Sequence, residues 1–336
     1  MPAVQKQFEQ FHDAIKLEAD NQKAKLQEKR DILLKALKAG LKEDDPGFVP
    51  FHQGSYSMHT GVKPLDGNFD IDIGVIFDCK QDRYEDPVEL KKLVRDALQT
   101  NVRTVKIRRP CVTVNYMTGD KVEYHVDLAV YVKRDDGKLD LAKGKENSDA
   151  AYRVWEVSDP KELTNIICTA FSDDKELAQY RRCIRYIKRW RHVQFASGGA
   201  PLSIALTVAA KNWFQPYFNL SGKAGDLRAM LKWVDAMLSH FSYDMSGDEW
   251  HDRLKVWLPV APNTDLMAKM TKSQMETFQE KLKALRDALK AAEAEELPED
   301  ACKKLRKQFG DDFPIPPKED TAKSVASAVI STGSSA

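Results

Sequence analysis

Two aspartates on one predicted strand are the residues whose type and spacing point most directly to chemistry. Asp70 and Asp72 lie in the run FDIDIGVIF, in which apolar residues alternate with polar or small ones. Successive side chains of a strand point to opposite faces, so the two carboxylates share one face. Neighbouring like charges repel each other unless a cation lies between them. The spacing therefore predicts a cation site, although Asp-x-Asp alone is more often a solvated strand face.

A third carboxylate on a later strand extends this pattern. Residues 112–132 alternate around the turn residues Met-Thr-Gly-Asp, which predicts a hairpin whose second arm carries Asp127 on its polar face. Magnesium prefers oxygen ligands, and a pair of ions can activate an attacking hydroxyl and neutralise a leaving phosphate. Asp70, Asp72 and Asp127 are therefore predicted to bind two Mg²⁺ ions, for which Mn²⁺ can substitute.

The pair Gly54–Ser55, ahead of the first of these strands, supplies groups that bind phosphate. Glycine lets the backbone approach a ligand closely, and exposed N–H groups beside a serine hydroxyl favour phosphate oxygens. A Gly-Ser pair by itself is usually only a turn. The order of Gly-Ser, Asp-x-Asp and a later strand aspartate is far more specific, and it indicates metal-assisted chemistry on phosphates.

Composition limits the class of protein. A content of 42% hydrophobic and 31% charged residues is typical of a soluble protein, and no apolar run reaches the length of a membrane span. The polar N-terminus does not resemble a signal peptide. A net charge of +1 argues against a chain that mainly coats nucleic acid. The five cysteines show no CxxC spacing, which favours reduced thiols and a cytoplasmic location.

The elements that must position these residues divide at about residue 160. Residues 3–42 are predicted to form one long helix, with one break allowed, because apolar residues recur every three or four positions. Strands follow, and from about 160 onward the periodicity becomes helical. We therefore predict an α+β fold with a catalytic domain at 1–160, a helical domain at 161–312 and a disordered tail at 313–336.

Three motifs of the catalytic half resemble the DNA polymerase β-type nucleotidyltransferase superfamily. They are GSYSMHT (54–60), FDIDIGVIF (69–77) and YHVDLAVYV (124–132). The similarity is greatest to the bacterial cGAS/DncV-like nucleotidyltransferases (CD-NTases), and within them to the clade that works beside HORMA-type regulatory proteins.

The resemblance continues into the second half of the chain. It includes VWEVSDP (154–160), RYIKRW (185–190) and PLSIAL (201–206), and it covers about residues 1–310. It implies a mixed-sheet nucleotidyltransferase core, a long N-terminal spine helix and a helical C-terminal half.

The resemblance implies roles for the residues that match the family motifs. Asp70, Asp72 and Asp127 would bind the magnesium ions, and Asp127 would also accept the proton of the attacking hydroxyl. Gly54 and Ser55 would hold the donor triphosphate.

Three further positions are implied with alternatives left open. Lys188 would neutralise triphosphate charge, the alternative being a solvated lysine on a helix face. Ser203 lies where relatives place a hydroxyl near the phosphates. Gln53 would contact the nucleotide or would only stabilise the turn.

The implied activity is synthesis of a cyclic di- or trinucleotide second messenger from nucleoside triphosphates, with release of pyrophosphate, in antiphage (CBASS) signalling. Adenine is the favoured base, cyclic triadenylate is a candidate product, and a HORMA-type protein is the expected partner. Animal cGAS carries a zinc-binding insertion for DNA, and no such His/Cys cluster exists in this sequence, so direct activation by DNA is doubtful. The alternatives are a linear or RNA-tailing nucleotidyltransferase and a catalytically silent module that binds a ligand or partner.

Overall fold

The structure, a computed structural model, describes residues 3–17, 20–65, 67, 69–100, 103–118, 121–246 and 249–317. Its helices are α1 (Gln5–Ile15), α2 (Asp20–Gly40), α3 (Gly54–Ser57), α4 (Pro87–Leu98), α5 (Pro160–Cys168), α6 (Asp174–Gln194), α7 (Ser203–Trp213), α8 (Asp226–Ser239), α9 (Lys272–Ala294) and α10 (Pro298–Phe309). Its strands are β1 (Phe48–His52), β2 (Phe69–Phe77), β3 (Arg103–Ile107), β4 (Val112–Thr118), β5 (Lys121–Lys133), β6 (Leu139–Lys143), β7 (Val154–Ser158), β8 (Phe241–Ser246) and β9 (Glu249–Leu254). Within this part of the chain, every helix is too short or too polar to span a lipid bilayer.

The first half of the chain contains one mixed sheet of seven strands. β5 lies at its centre. β2 runs parallel along one side of it, and β4 and then β6 pair antiparallel with successive parts of its other side. β1 and β3 extend the sheet outward, and β7 pairs with β6. The parallel pairing of β2 with β5 requires a long crossover, which α4, β3 and β4 provide. The predicted α+β fold with a mixed sheet is confirmed.

The apolar face of this sheet packs against two helices. Leu33 and Leu37 on α2 and Leu90 on α4 form one cluster with Val75 and Val130 from the central strands, and all five are fully buried. Burial of each such side chain stabilises the fold by about 1.5–3 kcal/mol. The alternation seen in the sequence therefore sets which face meets the helices, and it leaves the carboxylates on the other face.

A second core surrounds α6 in the C-terminal half. The Asp173 side chain accepts hydrogen bonds from the backbone N–H groups of Lys175 and Glu176, which caps the start of this helix. Further along α6, Tyr186 and Trp190 are fully buried. A helix so deeply embedded fixes the side chains that it directs toward the sheet.

The predicted N-terminal helix consists of two helices that join different cores. α1 ends at Ile15, and Lys16 is extended and forms an isolated bridge with Val62. Phe8 and Phe11 on α1 each lie with their ring centroids 5.3 Å from that of Tyr186, in the helical core. Since α2 packs on the sheet, the two helices together connect both halves of the molecule.

Two features of the C-terminal half differ from expectation. β8 and β9 form an antiparallel pair within the stretch predicted as helical.

Phe313 is fully buried, 5.1 Å from the ring of Phe8, so the prediction that the tail begins at residue 313 is wrong at its start. Without helical periodicity, a single aromatic that packs into a core gives no signal of its own. Residues 318–336, the rest of that predicted tail, lie outside the described residues, and the domain limits 1–160 and 161–312 stay a prediction.

Candidate active site

Two aspartates lie side by side at the centre of the sheet. Asp72 on β2 is in direct register with Asp127 on β5, and Asp70 is in register with His125. Adjacent strands are about 4.8 Å apart, and residues in register direct their side chains to the same face. The backbone thus places all three predicted positions on one face, although the Asp70 side chain is outside the described part of the structure.

A threonine on β4 completes this row across three strands. Thr113 is in register with Asp127, and its hydroxyl donates a hydrogen bond of 2.6 Å to Asp127 Oδ1. The bond fixes the orientation of the carboxylate. The sequence analysis did not select Thr113, although its place on the polar side of an alternating arm was a usable signal.

Gly54 touches the carboxylate of Asp72. It begins the short helix α3 with φ at +70°, a conformation that favours glycine. A Cβ atom at this position would lie 2.0 Å from Asp72 Oδ2. Glycine is therefore required here for two reasons, and it brings the N-terminus of α3 next to the carboxylates.

A cavity of about 790 Å³ opens between the sheet and the helical half. Six predicted site residues line it, namely Gln53, Gly54, Ser55, Asp72, Lys188 and Ser203. Asp127 does not line the cavity itself. It lies beside Asp72 on the neighbouring strand, because the two residues are in register. The structure therefore brings together residues that are up to 150 positions apart in the sequence.

Lys188 is a buried cation at this cavity. Its side chain on α6 is 5% exposed, which excludes the alternative of a solvated lysine on a helix face. Its Nζ donates to the carbonyl oxygen and the hydroxyl of Thr60, at 3.2 and 3.0 Å. Burial, followed by the charge of Arg185, lowers the pKa of Lys188 to about 7, while the Asp72 charge opposes this shift.

Gln53 is held in place by a tyrosine from the central strand. The hydroxyl of Tyr131 donates a hydrogen bond of 3.0 Å to Gln53 Oε1. Burial and then the nearby Asp72 charge raise the pKa of Tyr131, so this hydroxyl stays protonated and remains a donor. The amide of Gln53 is therefore oriented by the protein at the wall of the cavity.

Ser203 lies at the first position of α7, where Thr207 donates a hydrogen bond to its carbonyl oxygen. Both residues line the cavity. The N-terminus of this 11-residue helix has backbone N–H groups without intrahelical partners and carries a partial positive charge. This end of α7 therefore adds positive charge to the wall of the cavity.

The donor set fits a hard divalent cation. Asp72 and Asp127 offer carboxylate oxygens from neighbouring rigid strands, and such oxygens are the ligands that Mg²⁺ prefers. Among the described residues, which do not include the side chain of Asp70, no three His, Cys, Asp or Glu side chains are grouped so that they could hold a metal ion. The role of the three aspartates as metal ligands stays a prediction.

Two protein-family models match the chain, one on each half. Residues 49–131 match the nucleotidyltransferase domain described as cyclic GMP-AMP synthase DncV-like. Residues 178–316 match the C-terminal domain of cyclic GMP-AMP synthase. The first match contains all three aspartates, and the second contains Lys188 and Ser203.

A curated relative agrees with these matches over part of its length. The cyclic GMP-AMP synthase of Escherichia albertii is 31% identical over an alignment of 182 residues, and the match covers 51% of this chain and 38% of that protein. The match therefore spans well under half the length of this relative.

Solved structures share the fold at low sequence identity. The CD-NTase CdnG of Bradyrhizobium diazoefficiens in complex with GTP has a TM-score of 0.68 at 17% identity, covering 91% of this chain and 96% of that chain. CdnC of E. coli MS115-1 with ATP has a TM-score of 0.64 at 17% identity, covering 92% and 98%. DncV of Vibrio cholerae has a TM-score of 0.60 at 19% identity, covering 84% and 75%.

Proposed function

Because the chain belongs to the DncV-like nucleotidyltransferase family, the CD-NTases, we propose that it joins nucleoside triphosphates and closes the product into a cyclic di- or trinucleotide. The observation that carries this proposal is the register of Asp72 with Asp127, beside Gly54 and across a cavity from Lys188. The name of the curated relative and the GTP and ATP in two of the similar structures support nucleoside triphosphates as substrates.

The cavity is lined by both positive and negative groups, as a triphosphate with a divalent cation requires. Backbone N–H groups at the start of α3, the Ser55 hydroxyl and the Lys188 ammonium face the phosphates. The N-terminus of α7 at Ser203 adds a partial positive charge. A volume of about 790 Å³ is in the range of small-molecule sites.

Asp127 is the proposed base. A hydroxyl oxygen of the acceptor nucleotide attacks the α-phosphorus, the bond to pyrophosphate breaks, and the hydroxyl proton passes to Asp127. Thr113 holds one oxygen of this carboxylate and thereby directs the other one. Asp72, Asp127 and Asp70 would hold Mg²⁺, which when bound neutralises phosphate charge and lowers the pKa of the attacking hydroxyl.

The product of the purified protein tests this proposal. We expect mixed nucleoside triphosphates with Mg²⁺ to give pyrophosphate and a product that resists phosphatase, with a cyclic adenine-containing nucleotide found by mass spectrometry. A phosphatase-sensitive ladder would instead indicate a linear polymerase. No turnover, with or without a HORMA-type partner, would indicate a silent binding module. The CBASS role and that partner stay predictions from the resemblance.

Lys188 predicts the pH dependence of nucleotide binding. Its lowered pKa, about 7, means that the ammonium is neutralised as the pH rises from 6 to 8, and the neutral amine attracts a triphosphate less strongly. We expect ATP affinity, measured calorimetrically without metal, to fall by about tenfold over this interval.

The difference between variants is the decisive quantity, since phosphate groups also titrate near pH 6. Lys188→Met should bind weakly with little dependence on Lys titration, and Lys188→Arg should stay charged throughout. Lys161→Met serves as the control. It also removes a lysine ammonium, which in the wild type lies 5.3 Å from the Phe51 ring centroid. A Lys188→Met protein with the wild-type pH profile would contradict the assignment.

A further inference from the structure

The hairpin of β8 and β9 carries three large apolar side chains that face solvent. Tyr243, Met245 and Trp250 are 69%, 56% and 54% exposed. Large apolar side chains that cluster on a surface, unlike scattered ones, mark an interaction site. No described residue of this hairpin lines the cavity of the proposed active site, so the proposed nucleotidyl transfer does not account for them.

The strand register places these side chains on one face of the hairpin. Met245 is directly opposite Trp250, and Tyr243 is directly opposite Asp252. Residues opposite each other on antiparallel strands direct their side chains to the same face. The rings of Tyr243 and Trp250 are stacked across the two strands, with their centroids 5.6 Å apart and their planes at 21°. These four residues therefore form one cluster, the aromatic patch.

The helical core covers the base of this face and leaves its outer part exposed. Phe241 and Leu254, the opposed pair at the base, pack into the core, and the Phe241 ring centroid lies 6.2 Å from that of Phe278 on α9. Asp252 is exposed, and its Oδ2 accepts a hydrogen bond of 3.2 Å from Gln279 on the same helix. The apolar face of the hairpin therefore extends beyond the part that the core covers.

Two buried side chains on the opposite face attach the hairpin to the body of the protein. Arg253 is 2% exposed, and its guanidinium donates hydrogen bonds to the carbonyl oxygens of Met267 and Met270, at 2.9 and 3.2 Å. His251 is also buried, and its Nε2 lies 3.1 Å from Arg253 Nη1. A surface that is already ordered loses less conformational entropy when a partner binds. These contacts therefore present the aromatic patch on an ordered support.

The hairpin is acidic. Residues 241–254 contain one arginine and four acidic residues, which are Asp244, Asp248, Glu249 and Asp252. The arginine, Arg253, is buried on the other face, and the Asp244 carboxylate is paired with Lys255. Asp252 is exposed within the aromatic patch itself. A ligand of this patch therefore meets aromatic rings together with negative charge.

This charge decides between the classes of partner that exposed aromatic side chains can bind. Nucleic acid bases stack on such rings, but the carboxylates repel the phosphates of a nucleic acid and the headgroups of anionic lipids. A second copy of this chain would bring two acidic hairpins together. A guanidinium, in contrast, stacks on an aromatic ring and pairs with a carboxylate at the same time. The patch therefore favours a cationic protein segment.

We propose that the aromatic patch binds a segment of another protein that presents an arginine beside apolar side chains. The arginine stacks on the Tyr243 and Trp250 rings and pairs with Asp252, and its apolar neighbours cover Met245. Tyrosine, tryptophan, methionine and arginine are the residue types enriched in the cores of protein interfaces. This inference goes beyond the proposed function and does not depend on it.

Selection of random peptides displayed on phage, with the full chain as the target, tests the site. We expect the enriched peptides to carry an arginine flanked by apolar residues. In calorimetry, a synthetic copy of an enriched peptide should bind Tyr243→Ser about tenfold or more weakly than wild type. Tyr152→Ser removes another exposed tyrosine, from the first half of the chain, and is the matched control that should bind as the wild type does.

A charge exchange separates the proposed ion pair from a general loss of hairpin structure. Asp252→Lys should bind the arginine peptide about tenfold more weakly. The same variant should bind more tightly than wild type to a peptide in which glutamate replaces the arginine, a gain that a disordered hairpin would not give.

Enriched peptides without a cationic residue, or no enriched peptide at all, would overturn the proposal. Equal affinities of Tyr243→Ser and wild type for the arginine peptide would do the same. Binding of oligothymidylate or of anionic lipid vesicles that requires Tyr243, or a dimer of this chain that requires it, would assign the patch to another class of partner and would also overturn the proposal. Absence of nucleotidyl transfer would refute the proposed function alone, since peptide binding is measured without turnover.

Discussion

The Asp72→Asn protein is expected to lose nucleotidyl transfer by about a thousandfold or more, which corresponds to about 4 kcal/mol of transition-state stabilisation. Asparagine keeps the shape of the side chain but lacks the charge that a hard cation requires. Since Asp72 lies in register with Asp127, the substitution also removes a like-charge pair from the sheet. The same substitution removes the attraction between Asp72 and Lys188, so the thermal midpoint should change little while pyrophosphate release is lost.

A nearby aspartate provides the control for this substitution. Asp78 directly follows β2, and its 72% exposed side chain forms an ion pair of 2.7 Å with Lys133 at the surface. Asp78→Asn should keep near wild-type activity, because exposed pairs contribute little and this carboxylate is outside the cavity. Asp72→Asn with a tenth or more of the wild-type rate would remove Asp72 from the proposed site.

Gly54→Ala is expected to lower activity by about a hundredfold or more, since displacement of a catalytic group by about 1 Å can cost that much. The new methyl group would lie 2.0 Å from Asp72 Oδ2, so either the carboxylate or the start of α3 must move. The positive φ of +70° adds strain of about 1–2 kcal/mol to the folded state.

Gly137 separates these two effects. It lies in the turn between β5 and β6 with a φ of +79°, and a Cβ atom there meets nothing within 4 Å. Gly137→Ala should therefore lose the same stability through backbone strain, about 1–2 kcal/mol, and keep its activity. If both variants kept their activity, measured by initial rates of pyrophosphate release, the contact between Gly54 and Asp72 would have no catalytic importance.

The strands that carry the carboxylates could be predicted because their periodicity is strong. Ile73 and Val75 alternate with Asp72 and Gly74, and a period of two identifies both the element and its buried face. The register of Asp72 with Asp127 could not be predicted in this way. It depends on a parallel crossover that joins strands about 50 residues apart, and local patterns do not encode such pairings.

Contacts between the two halves also left no local signal. Lys188 belongs to a basic helical run whose pattern is also compatible with a solvated face. Only the fold shows that the Lys188 ammonium donates a hydrogen bond to Thr60. The alternation of β4 could have placed Thr113 on the polar face, but its hydrogen bond to Asp127 follows only from the pairing of the strands. The hairpin of β8 and β9 was missed because its six-residue strands are short and lie among long helices.

The burial of Phe313 against Phe8 has a consequence for anyone who shortens this chain. The first described helix and Phe313, near the end of the described residues, complete the same hydrophobic cluster, together with Phe11 and Phe309. A deletion that removes either side would expose rings contributed by the other. The two extremities should accordingly melt together, as one cooperative unit.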